Sequence, residues 1–334
     1  MTIPFSVLDV VPLASGNTAS AALHESIALA RHVEALGYVR YWFAEHHGME
    51  GIASAAPAVL VGQVAAATTK LRVGSGGVML PNHSPLAIAE QFGTLEALYP
   101  GRIDLGIGRA PGSEPLAAAV LRRTHDNPAG DELPVLLEEL FGFFRGSWAP
   151  GHPFAKIRAT PAYGNEPPVW LLGSSDYSAR LAGRMGLPFA FAHHFSQGNT
   201  LPALAEYRAN FRPSEKLAAP YAIVAANVTV GEDDAHARRL ALPHALAFLR
   251  LRLGRPQRYP SIEDAERHPW TPPERAFAEE WFAANVVGGK ESVRQQVDRL
   301  VKVTRADELM VLCATPDAAE RRQSYTRLRD LYPV

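Results

Sequence analysis

The chain has 334 residues, 33 lysines and arginines against 34 aspartates and glutamates, and a formal net charge of −1. Such a balance offers no global positive field to collect phosphates, so nucleic acid is not an expected partner. A content of 47% hydrophobic and 20% charged residues excludes a disordered chain, and a single cysteine, Cys313, excludes an intrachain disulfide or a cysteine-based zinc site.

The first predicted element is a β-rich run at 3–13, without a basic leader, followed by a helix over 24–36 that stops at Gly37. Residues 39–44 predict the second strand and 56–68 its helix. The uncharged run 51–69 around that helix is Ala-rich and carries Pro57 and Gln63, so it reads as a buried helix rather than a membrane span. A soluble, cytoplasmic protein is expected. Residues 71–80 predict the third strand. Pro85 opens a helix through Leu98 at its first turn, where a missing N–H costs nothing, and 103–108 predict the fourth strand.

Leu133, Leu136, Leu137, Leu140 and Phe141 recur at helical spacing, and 146–168 is an irregular excursion rich in Pro and Gly. Strands follow at 169–172, 189–192, 221–230 and 308–313, with helices at 178–185, 201–211 and 318–331. The stretch 231–305 is too long for one loop and must hold several helices, with a Pro-rich turn at 269–273. Eight strands, each followed by helical sequence, count out a TIM (β/α)8 barrel of a single domain over 1–334, with insertions after the fourth and seventh strands. A doubly wound open sheet is the alternative.

In a barrel, chemistry gathers where the strands end. The second strand ends in Glu45-His46-His47, the third in Leu80-Pro81-Asn82-His83, the fourth in Gly108-Arg109, the fifth in Gly173-Ser174-Ser175 and the sixth in His193-His194. The Gly173-Ser174-Ser175 turn enters a helix, whose free N–H groups and dipole attract anions. Arg109 emerges beside it and can complete a dianion site. Against this stand a simple helix cap by Ser175 or Asp176, and a rim salt bridge for Arg109. The glycines of Val73-Gly74-Ser75-Gly76-Gly77-Val78 point to a flat ligand lying on bare backbone, or else to a bulge or strained peptide. No metal is expected: successive strand residues face opposite sides, so His46 and His47 cannot share an ion while the strand continues. A single functional imidazole is the commoner use.

Four runs carry a family resemblance: Trp42-Phe43-Ala44-Glu45-His46-His47, Val73 through Pro81, Gly101 through Arg109, and Leu172-Gly173-Ser174-Ser175. On them the chain resembles the bacterial luciferase-like flavin-dependent oxidoreductases. The resemblance implies reduced FMN held at the C-terminal rim. The isoalloxazine would lie over Gly76-Gly77, where relatives have a non-proline cis peptide. The phosphate would be held by Arg109, by Gly173, Ser174 and Ser175, and by Ser178. His46 matches the family's active-site histidine, and Glu45, His194 and Phe195 are expected at the substrate pocket. Gly108 stands where luciferase has its reactive cysteine, which argues against preserved light emission. The implied reaction is oxygenation of a small organic substrate with O2 and FMNH2 from a separate flavin reductase. Loops over 111–134 and between the last two strands would form the lid, and the helices over 56–68 and 85–98 a homodimer interface. F420-dependent hydride transfer and a non-catalytic flavin-binding barrel are the alternatives.

Overall fold

Eight parallel strands close on themselves in the computed structural model, which describes residues 3–110, 115–122 and 132–333. In chain order they are β1 (Phe5–Asp9), β2 (Arg40–Phe43), β3 (Arg72–Met79), β4 (Ile103–Gly108), β5 (Val169–Gly173), β6 (Phe189–Ala192) and β7 (Ala222–Val230), then, after a short β8 (Val286–Gly288), β9 (Glu308–Leu312). Each of β1 to β7 pairs with the next. β9 then pairs with both β7 and β1 and completes the circle. This is a (β/α)8 barrel. The sequence did not disclose β8: its three residues are too few to show alternation, and it pairs only with the far end of β7. The first strand is shorter than expected, because Val11 turns to φ 49 and gives its N–H to Asp9 Oδ1 at 2.8 Å rather than to a neighbouring strand.

The helices are α1 (Ala19–Ala35), α2 (Pro57–Ala67), α3 (Pro85–Leu98), α4 (Pro115–Arg122), α5 (Leu133–Arg145), α6 (Asp176–Met185), α7 (Thr200–Asn210), α8 (Asp234–Arg252), α9 (Ile262–Arg267), α10 (Pro272–Ala284), α11 (Lys290–Thr304) and α12 (Ala318–Leu331). α1 begins five residues ahead of the expected start, since Thr18 Oγ1 accepts the Ala21 N–H at 3.1 Å and caps it there. The insertion after β7 contributes α8, α9 and α10. The Pro-rich turn expected at 269–273 runs into α10, whose first turn carries Pro272 and is closed by a Thr271–Glu274 capping box. No helix of the described residues is long and apolar enough to cross a membrane.

Alternation sorts each strand's side chains between an outer apolar shell under the helices and the barrel interior. On β2, Tyr41 and Phe43 pack outward, while Arg40, Trp42 and Ala44 face in. At the N-terminal end the interior is plugged by charge. Arg40 bonds Asp104 at 2.8 Å and Glu308 at 3.0 Å and lies over the Trp170 ring. Arg72 and Trp42 Nε1 also reach Asp104, and Tyr221 and Ser6 reach Glu308. Above this plug Trp42 meets Trp170 edge-on, and higher still the interior shrinks to Ala44, Gly76, Ala190, Ala192 and Ala225. Small side chains leave a hollow at the C-terminal end; large ones fill the other.

Candidate active site

The hollow is a cavity of about 440 Å³, within the range of small-molecule and cofactor sites. Its floor is apolar, made by Leu8, Leu172, Ala190, Ala225 and Met310. Of the residues singled out from the sequence, His46, Gly76, Gly77, Arg109, Gly173, Ser174, Ser175, Ser178, His194 and Phe195 all lie in its wall.

Glu45 does not. It is 1% exposed and turned away from the cavity, where its Oε1 accepts from His47 Nε2 at 2.8 Å and His83 Nε2 at 2.7 Å. Its Oε2 accepts from the Met79 N–H at 3.1 Å. Burial pushes this carboxyl's pKa up, but the bonds from His83, His47 and Met79 outweigh burial and hold it below its ordinary value. The expectation of Glu45 at the substrate pocket is therefore corrected: alternation puts it on the face opposite His46, where it ties the end of β2 to the end of β3. The ligand atoms of Glu45, His47 and His83 lie within 4.8 Å of one another, so this set has the composition of a cation site. The carboxylate nevertheless satisfies both imidazoles directly. His83 stands at the expected end of the third strand, but its pairing with Glu45 was not indicated by any spacing in the sequence.

His46 continues the inward row of Arg40, Trp42 and Ala44. Its Nδ1 is buried with no hydrogen-bond partner among the described residues, and burial lowers the ring's pKa to about 4. The ring is thus neutral at pH 7, with one nitrogen a donor and the other an acceptor.

On β3 the Gly76–Gly77 peptide is cis, and the register against β4 shifts between Gly76 and Val78. A Cβ on Gly77 would come within 2.6 Å of the Gly106 carbonyl oxygen, and one on Gly76 within 2.7 Å of the Leu8 side chain. Gly77 is therefore required by close packing on the β4 backbone at the bulge, as the second sequence reading held, while Gly76 is crowded by the movable end of Leu8 and by Trp42. A flat ligand is not needed to explain them, although both face the cavity.

Two strands on from β3, β5 leads into the first turn of α6. Ser175 holds the N-cap position of α6 but makes no capping hydrogen bond through its side chain, so the simple-cap reading fails for it. Asp176 instead leans along the helix to Arg180 at 2.5 Å. The Arg109 guanidinium lies 4.5 Å from the centroid of the Tyr177 ring in the first turn of α6 and pairs with no carboxylate among the described residues. Ser178 is buried behind Gly173, where a Cβ would strike its hydroxyl at 2.7 Å. The N-terminus of α6, the Ser175 hydroxyl, which caps nothing, and the Arg109 guanidinium over Tyr177 meet there, with the Asp176 carboxylate bonded to the Asp176 and Tyr177 N–H groups beside them.

At the end of β6, His194 Nδ1 lies 2.9 Å from the Ala225 carbonyl, which fixes Nδ1 as the protonated nitrogen. Burial lowers its pKa to about 4. Its ring packs on Phe195, 4.5 Å between centroids, while His193 turns aside to Thr200 Oγ1 at 2.7 Å. Two residues that sequence reasoning missed stand nearby. Asn227 is the next inward position after Ile223 and Ala225 on β7, and His244 lies on α8; both line a smaller adjoining pocket. Alternation along β7 could have found the first. Of the loop expected as a lid over 111–134, α4 and residues 132–134 are described, and the remainder lies outside the described residues.

The family model described as luciferase-like monooxygenase matches residues 3–307, and the chain belongs to that family. It is 49% identical over 328 residues to the uncharacterized protein YvbT of Bacillus subtilis, covering 98% of this chain and 96% of that one. A luciferase-like monooxygenase of Escherichia coli K12 is 46% identical over 331 residues, covering 99% and 97%. Among solved structures, apo-MsnO8 superposes with a TM-score of 0.89 at 37% identity, covering 99% and 98%. The oxygenating constituent of 3,6-diketocamphane monooxygenase from Pseudomonas putida, in complex with FMN, gives 0.74 at 18% identity over 99% and 98%. An F420-dependent secondary alcohol dehydrogenase gives 0.70 at 15% identity over the full length of both chains. The last two share the fold.

Proposed function

We propose that the protein is a flavin-dependent monooxygenase that binds reduced FMN in the 440 Å³ cavity and uses O2 to oxygenate a small organic molecule. The observation that carries this reading is the meeting, in one cavity, of an apolar floor, a helix N-terminus with Arg109 beside it and a buried neutral imidazole. Arg109 and the N–H groups and hydroxyls of Gly173, Ser174, Ser175 and Ser178 would hold the phosphate, and Gly76-Gly77 would face the isoalloxazine. Bound there, reduced FMN would supply the two electrons needed for one oxygen atom of O2 to go to substrate and the other to leave as water.

The chain's own residues do the rest. The apolar floor excludes water from the reacting centre. His46, uncharged and without another described partner at Nδ1, holds or passes a proton at that atom. His194 and Phe195 wall the side on which substrate approaches. Reduced FMN arrives from a separate flavin reductase in the cytoplasm, and the protein works as a homodimer.

The fold is shared by an FMN complex and an F420-dependent enzyme, so fold alone does not choose between them. Among the described residues in the cavity wall Arg109 is the only Lys or Arg, which suits one phosphate better than the polyanionic tail of F420. The test is oxygen uptake by the purified protein with FMNH2 regenerated by an added flavin reductase, run beside anaerobic oxidation of reduced F420. Protein-dependent changes with FMNH2 alone support the reading; activity with F420 alone overturns it.

A further inference from the structure

Beside the main cavity lies a second pocket of about 80 Å³, and the two share His46, Met49, His194 and Phe195 in their walls. It is a side chamber of the same site. Its cover is one face of α8, where His244, Ala247, Phe248 and Leu251 recur at helical spacing. At its polar end stands Asn227, on β7 and 5% exposed.

The orientation of that amide follows from a chain of bonds. Asn285 Nδ2 donates to the Trp281 carbonyl at 2.7 Å, so its Oδ1 is the atom turned to Asn227, and Asn227 Nδ2 donates to it at 2.8 Å. Asn227 Oδ1 is left as a buried acceptor with no partner among the described residues. His194 presents a second acceptor, since its Nδ1–H is committed to the Ala225 carbonyl and only the Nε2 lone pair remains. The rest of the wall is uncharged: Val10, Ile52, Phe248 and Leu312 are apolar, Gln257, Tyr259 and His244 are neutral polar groups, and no Asp, Glu, Lys or Arg is among the described residues lining the pocket.

We propose that this side pocket seats the organic substrate and selects a neutral molecule with an apolar body and one O–H or N–H donor directed at Asn227 Oδ1. A buried acceptor left without a donor is costly, so a ligand that brings the donor is favoured over one that does not. An anion would meet no cation to offset its desolvation, since burial keeps both imidazoles uncharged, His194 near a pKa of about 4 and His244 of about 3, and the other donors of the wall are neutral. A cation would find no carboxylate. The assignment of the pocket to substrate rests on the flavin reading, because His46 joins the two chambers; the pocket's selectivity stands on its own walls.

The experiment measures calorimetric affinities at pH 7.5 for four probes of similar size: 1-hexanol, methyl pentyl ether, hexanoate and hexylammonium. Each is run with and without saturating FMN. 1-Hexanol is expected to bind roughly tenfold more tightly than the ether, which lacks only the donor, and more tightly than either ion. Asn227→Leu should bring 1-hexanol down to the ether's affinity while FMN affinity is unchanged, and Asn227→Asp should turn the preference toward hexylammonium. Equal affinity for alcohol and ether, tighter binding of either ion by the native protein, or no binding of any probe at millimolar concentration would overturn the proposal. The ranking in the native protein decides even where a variant fails to fold. A preference for 1-hexanol in the flavin-free protein without any uptake of FMN would sink the flavin reading and leave the pocket's selectivity intact.

Discussion

His46 sits at the junction of both chambers, with Nδ1 lacking a described partner and a pKa lowered by burial to about 4. His46→Ala should leave FMN affinity within about twofold and lower substrate oxygenation by about 10²–10⁴-fold, the usual worth of a positioned proton-transfer group. Retained turnover would remove His46 from the chemistry. His46, His194 and His244 together make a second expectation. Their folded pKa values, about 4, 4 and 3, lie below the ordinary 6.5. Between pH 6.5 and 4 the unfolded chain takes up protons that the folded one refuses, so stability is full above pH 6.5 and falls as the pH drops toward 4. Tm should follow that course, less steeply in His244→Phe; a Tm unchanged from pH 7 to 4.5 would contradict it. Asp9, whose pKa is lowered from 3.8, acts below that window. His46, Arg109 and the serines were legible because polar residues stood out where apolar strands stop. Asn227 and His244 were missed: the first shows only when the inward alternation of β7 is followed past Ala225, and the second needs the pose of α8, which no local pattern sets.

β2 shows in one element how the two ends of the barrel divide their work. Its inward row runs from Arg40 in the plug through Trp42 and Ala44 to His46 at the rim. Arg40 neutralises two carboxylates that are fully buried, Asp104 and Glu308. Removing the cation leaves buried negative charge with less compensation, so Arg40→Leu should cost about 3–5 kcal/mol in denaturant unfolding. A loss below about 1 kcal/mol would mean that Arg72 and Tyr221 suffice. The strands, and the helices on them, were readable from apolar runs and stop signals. The plug was not, because its members are scattered from Ser6 to Glu308 and meet only when the barrel closes. The glycine run of β3 misled in emphasis: its close contacts are with β4 and Leu8, so a Gly77 variant would report on barrel packing before it reported on a ligand.

At the scale of the whole molecule, closure fixes which residues share a rim, and alternating strand and helix sequence was enough to foresee it. Assembly is a further expectation. The outer side of α2 exposes Val59, Gln63 and Ala66, and the dimer expected from the family resemblance would pack on it. Light scattering should give twice the monomer mass, and Val59→Glu should shift it toward monomer; a monomeric native protein would end the dimer proposal. The central claim is that one rim grips a flavin nucleotide by its phosphate, with Arg109 beside the N-terminus of α6. It is tested most directly by titrating the purified protein with FMN and with riboflavin, which differ only in that phosphate, in the native chain and in Arg109→Ala. FMN should bind the native protein far more tightly than riboflavin, and Arg109→Ala should weaken FMN by about 1.5–3 kcal/mol while leaving riboflavin nearly unchanged. Equal affinities for the two flavins, or an Arg109→Ala variant that holds FMN as the native protein does, would contradict the account.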